Sequence, residues 1–107
     1  MTPQKVLETI ATYRKLFEEA GTGKIDYLHD ELLTTPDLLS LPHCHGMLDK
    51  MEEFVRDKRI EKVMRWLGFV QGVLWVQGVY TLENLKSHNR SPEAVPYVGS
   101  AGAVHYE

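Results

Sequence analysis

The chain has 107 residues, of which 43% are apolar and 25% charged, with a formal net charge of −3. That length holds one domain, that composition excludes a wholly disordered chain, and that mild acidity argues against a protein built to grip a nucleic-acid backbone. One cysteine, Cys44, excludes an internal disulfide framework and predicts a reducing, cytoplasmic setting.

The opening twenty residues carry Lys5, Glu8, Arg14, Lys15, Glu18 and Glu19 and no apolar core of a signal, which predicts no secretory leader. Their charges balance. The acidity sits in 21–42, where Lys24 stands against Asp26, Asp30, Glu31 and Asp37, and in 91–107, which holds Glu93 and Glu107. A domain this small buries only about 60–70% of its unfolded surface, so a homo-oligomer, a dimer or a multiple of it, is expected from size alone.

The first helix is read over 3–20. Thr2 caps it, Pro3 suits its first position, and Val6, Leu7, Ile10, Tyr13, Leu16, Phe17 and Ala20 recur at helical spacing. Gly21 stands where a left-handed terminating residue belongs. Residues 21–42 read as irregular, with helical turns near Tyr27–Leu33 and after Thr35-Pro36-Asp37. A second helix is expected over 43–57, with Cys44, Met47, Leu48, Met51, Phe54 and Val55 as its apolar stripe. Arg56, Asp57, Lys58 and Arg59 interrupt it and predict a tight turn into a third helix over 60–80. Two helices joined by so few residues form an antiparallel hairpin. Thr81-Leu82-Glu83-Asn84 looks like the capped start of a short helix reaching Lys86 or His88. Residues 91–107, with Ser91, Pro92, Pro96, Gly99, Ser100 and Gly102, read as an extended tail. The expectation is an all-α domain over 1–90, the third helix central, with a core that includes Ile10, Phe17, Met47, Met51, Phe54, Trp66, Phe69, Val70, Val73 and Leu74.

Trp66 to Leu82 is 17 residues without a charge. That is short of the roughly 18–20 a membrane span needs, and Gln71, Gln77, Gly68, Gly72 and Gly78 interrupt it, so no membrane partner is expected. Glycines inside a helix cost roughly 0.5–1 kcal/mol each relative to alanine. Close approach of a second helix compensates. The wheel gathers Gly68, Gln71, Gly72, Trp75 and Gly78 as an expected subunit interface and puts Trp66, Phe69, Val70, Val73, Val76 and Tyr80 on the core side. The alternative is a ligand groove using Gln71, Trp75 and Tyr80 in an inter-subunit pocket.

Three weaker features remain. Gly21-Thr22-Gly23-Lys24 looks like the end of a phosphate-binding loop, but it follows a helix, and Ile25 stands where Ser or Thr would hold magnesium. In His43-Cys44-His45, the two histidines point apart on a helix, while His45 and Asp49 share a face and form the candidate metal pair. Arg56, Lys58, Arg59, Lys62 and Arg65 are interleaved with Asp57 and Glu61 and read as a solvated face. No serine, second cysteine or oxyanion loop accompanies the histidines, so no catalytic residue and no cofactor is assigned.

Two blocks, HCHGMLDKMEEF (His43–Phe54) and RWLGFVQGVLWVQGVYTLENLKSHNR (Arg65–Arg90), resemble short uncharacterised helical proteins of phages and prophage-bearing bacteria. The resemblance carries no site residues. It implies a small cytoplasmic accessory protein that binds and blocks a host component or sequesters a small signalling molecule. The leading expectation is therefore a non-enzymatic, self-associating binding or inhibitory protein. The alternatives are a binder of a small molecule such as a nucleotide derivative, and a metal-binding protein using His45 and Asp49.

Overall fold

A computed structural model describes residues 1–26 and 36–90. Four helices account for most of them: α1 (Pro3–Glu19), α2 (Pro36–Arg56), α3 (Ile60–Val76) and α4 (Leu82–Asn89). Among the described residues there is no strand, so the fold is all-α. The turns expected near Tyr27–Leu33 and the tail over 91–107 lie outside the described residues.

Local chemistry sets most of the helix ends. The Thr2 hydroxyl accepts from the Lys5 N–H, and Pro3 occupies the first helical position. α1 stops where Gly21 adopts φ 71°. There the Gly21 N–H bonds back to Glu18 O and the Thr22 N–H to Phe17 O, the paired bonds of a Schellman ending. The same pair closes α2, through Lys58 N–H to Val55 O and Arg59 N–H to Phe54 O, with Lys58 in the left-handed region at φ 60°. It also closes α3, through Gly78 N–H to Trp75 O and Val79 N–H to Leu74 O, with Gly78 at φ 74°. Thr81 and Asn84 start α4 with a reciprocal capping box.

Two boundaries differ from the sequence reading. α2 begins at Pro36 and runs through Pro42 without a break. The segment after α1 crosses the helix at this point, where the Ile25 N–H donates to Pro42 O at 3.2 Å. α3 ends at Val76 rather than 80, because Gly78 terminates the helix and does not continue it.

The core is a single cluster. α1 contributes Val6, Ile10, Tyr13 and Phe17, and α2 contributes Cys44, Met47, Leu48, Met51 and Val55. α3 contributes Val63, Leu67, Val70 and Leu74, and α4 contributes Leu85. α2 packs against both α1 and α3, and α4 packs against α1. The central helix is therefore α2, not α3. The hairpin of α2 and α3, joined by residues 57–59, is as expected. Of the expected core residues, Phe54, Trp66 and Val73 are only partly buried, and Phe69 is exposed. Phe54 and Trp66 meet edge to face at 4.8 Å on the flank of the hairpin.

Candidate functional site

The inward line of α3 is Val63, Leu67, Val70 and Leu74, spaced at four, three and four residues. Its outer face then follows from helical geometry. Glu61 and Arg65 are exposed, and the same line continues through Gly68, Gly72 and Val76, flanked by Phe69 and Trp75. Val76 is 74% exposed, Phe69 53% and Trp75 50%; Leu82, at the start of α4, is 51% exposed. Among the described residues, a Cβ built on Gly68 or on Gly72 would meet nothing within 4 Å, so packing between those residues does not require the two glycines. They leave a shallow, uncharged strip between apolar walls, with a Gly-x-x-x-Gly spacing that permits close helix approach. The His43 ring stands edge to face against Phe69 at 6.4 Å and borders the strip on the α2 side.

Beyond Trp75 the face runs into an open depression lined by Trp75, Val79, Tyr80, Leu82, Glu83 and Asn84. Asn84 and Thr81 at its edge are committed to the capping box.

The expected interface and ligand residues separate in space. Gly68, Gly72 and Trp75 stay together on the outer face. Gly78 lies beyond the helix, in its terminating turn. Gln71 points the other way and is buried. Its amide donates to the Tyr13 hydroxyl at 2.9 Å and to Asn89 Oδ1 at 2.6 Å, and it accepts from Asn89 Nδ2 at 3.1 Å. With its hydrogen-bonding capacity used internally, Gln71 cannot floor a groove between Trp75 and Tyr80. Phe69 and Val76, placed on the core side by the sequence reading, form the outer face instead.

Sequence reasoning also missed the polar cluster that Gln71 joins. Tyr13 from α1 hydrogen bonds His88 Nδ1 at 2.8 Å. The Tyr80 ring lies edge to face with His88 at 4.6 Å. Burial pushes the Tyr13 phenol up to about 12, against the lowering effect of the Gln71 hydrogen bond. The available signals were a tyrosine inside an apolar stripe and a glutamine inside an uncharged helix, both of which need polar partners when buried.

The metal pair is drawn into other partnerships. His45 is buried against Phe17, with ring centroids 5.0 Å apart, and its Nδ1 donates to Thr22 O at 2.9 Å. Its Nε2 is buried without a hydrogen-bond partner among the described residues. Asp49 is exposed and ion-paired with Arg14 and Lys24, both at 3.0 Å. Desolvation pushes the Asp49 carboxyl up, but the Lys24 and Arg14 hydrogen bonds outweigh it and hold the group below the usual range. Among the described residues, no three His, Cys, Asp or Glu side chains gather as a metal set would. Burial pushes the Cys44 thiol up to about 12, which leaves it protonated and unreactive. In Gly21-Thr22-Gly23-Lys24, two carbonyls face His45 and Lys24 reaches Asp49, so the stretch forms no anion cradle. Arg59 and Lys62 lie over the Phe54 ring, at 5.4 and 4.6 Å from its centroid.

Among the described residues, no helix is long and apolar enough to cross a membrane. Compared with known proteins, the chain matches no family model, no curated protein and no solved structure.

Proposed function

We propose that this protein is a small self-associating binding protein whose contact surface is the outer face of α3. The observation that supports the reading is the pairing of two glycines that packing among the described residues does not need with three apolar side chains left open beside them. Half of each aromatic side chain's roughly 150–250 Å², with Val76 and Leu82 added, comes to the order of 300–400 Å² of exposed apolar surface. The largest apolar patch on a typical monomer is of that size and is often functional. The absence of charge from Trp66 to Leu82 suits an identical face better than a charged partner, because two copies would meet without burying an unpaired ion. The biological role that fits is the phage-type accessory role implied by the sequence resemblance, in which the associated form binds a host component.

Tryptophan emission tests the reading. In a Trp66→Phe background, Trp75 emission is expected to shift to the red on dilution from tens of micromolar, the order at which a moderate interface dissociates. Emission that is already that of an exposed indole, and constant with concentration, would sink the proposal.

A further inference from the structure

We propose that the basic and aromatic end of the α2–α3 hairpin is a docking surface for a partner protein with an acidic face. The inference names a second contact surface and does not depend on self-association through the outer face of α3.

The cations of this chain are used in two different ways. Lys5, Arg14, Lys24 and Lys50 each meet a carboxylate of the chain itself. Around the hairpin turn that pattern stops. Residues 53–65 hold five cations, Arg56, Lys58, Arg59, Lys62 and Arg65, against three carboxylates, Glu53, Asp57 and Glu61. Among the described residues, none of these groups is ion-paired. All but Lys62, which is half-buried, are exposed. A chain of net charge −3 therefore presents a net positive end whose cations are not neutralised from within.

Two of those cations are held in place by rings. Phe54 and Trp66 meet edge to face at 4.8 Å. The Arg59 guanidinium lies 5.4 Å from the Phe54 centroid, and the Lys62 ammonium lies 4.6 Å from Phe54 and 5.8 Å from Trp66. A cation over a ring face is attracted by the ring's quadrupole, which narrows its choice of rotamers. A partner carboxylate then meets positive groups already positioned, and less side-chain entropy is lost on binding than for a free lysine. Both rings are only partly buried, so they also supply apolar area inside the ring of cations. Aromatic and arginine side chains are the types that protein interfaces enrich. Lys58 points the same way. It stands at the turn with φ 60°, where glycine would sit with less strain, and strain of this kind gathers at functional positions.

The interleaved carboxylates decide the class of partner. A nucleic-acid backbone presents negative charge at every step, so it would meet Glu53, Asp57 and Glu61 as well as the cations. Phe54 and Trp66 do not offer open faces for stacked bases either, because Arg59 and Lys62 lie over them. An acidic protein surface carries its carboxylates singly. It can set them against Arg59, Lys62 and Arg65 and leave Asp57 and Glu61 to water or to a cation of its own, the complementarity that fixes register between proteins.

Titration of the full chain with a short polyglutamate peptide, followed by amide NMR, tests the surface. Salt is held at about 0.15 M, where a Debye length of about 8 Å screens diffuse attraction between exposed charges. Saturable shifts should map to residues 54–66, with a Kd below about 1 mM. Arg59→Glu and Lys62→Glu should each weaken binding by at least about tenfold. Lys15→Glu reverses an exposed cation on α1 that is likewise unpaired among the described residues, and it should leave binding unchanged. Oligothymidylate and duplex DNA of matched charge should bind more weakly than the peptide. Should a reversal not fold, the same loss of binding, smaller in size, is required of Arg59→Gln and Lys62→Gln. Absence of saturable binding, shifts spread over all exposed cations or confined to Gly68–Val76, a loss in Lys15→Glu equal to that in Lys62→Glu, or nucleic acid binding as tightly as the peptide would each overturn the proposal.

Discussion

Gly46 shows how much one residue can decide here. A Cβ at that position would lie 2.5 Å from the Ile25 carbonyl oxygen, where residues 22–26 cross α2. The same crossing supplies the hydrogen bonds to Pro42 O and His45 Nδ1, so it cannot shift without losing both. Gly46→Ala is therefore expected to destabilise the fold by about 1–3 kcal/mol, the usual cost of overpacking, although alanine is the better helix former. Urea unfolding checks the sign, and a stabilised variant would mean that the crossing segment yields. At this scale the sequence was partly legible. Cys44 was read correctly as a core residue, because its neighbours repeat at helical spacing. His45 and Gln71 were not placed, since their partners lie 23 and 58 residues away in the chain.

The helices were legible where their ends carry their own chemistry. Thr2-Pro3, Gly21, the 57–59 turn and Thr81 each act within five residues, so the sequence alone locates them. The continuation of α2 through Pro42 was not legible, because a proline removes a helical hydrogen bond and reads more readily as the first turn of a helix than as its interior. Nor was the rotation of α3. A helix apolar nearly all round has no polar face to orient it, yet the exposed line Glu61–Arg65 extends at helical spacing to Gly68, Gly72 and Val76, and that signal gives the observed outer face. Two predictions belong here. Lys58 takes the left-handed conformation that costs a side-chain-bearing residue about 1–2 kcal/mol, and Lys58→Gly should raise stability by about 0.5–1 kcal/mol once glycine's own entropy is counted. On the outer face, Gly68→Ala and Gly72→Ala should each stabilise the isolated chain by roughly 0.5–1 kcal/mol, because the added methyl meets no neighbour among the described residues. Unfolding at sub-interface concentration measures both, and destabilisation by either alanine would show that the glycines serve an internal contact.

For the whole molecule, the arrangement α1–α2–α3 with α2 in the middle leaves one side of α3 uncovered by the other described residues, while α4 covers α1. The class of fold was readable from periodicity, but the packing order was not, since the most apolar helix is the natural candidate for the centre and here stands at the edge. That position makes the glycine-bearing face an outside surface. The direct test of the central claim is the mass of the chain in solution by light scattering, for the wild type and for Gly72→Leu, at tens of micromolar. The account predicts a dimer or a multiple of it for the wild type, and a shift to monomer for Gly72→Leu with helical content unchanged by circular dichroism. A wild-type monomer at that concentration, or a Gly72→Leu variant that associates as the wild type does, would contradict it.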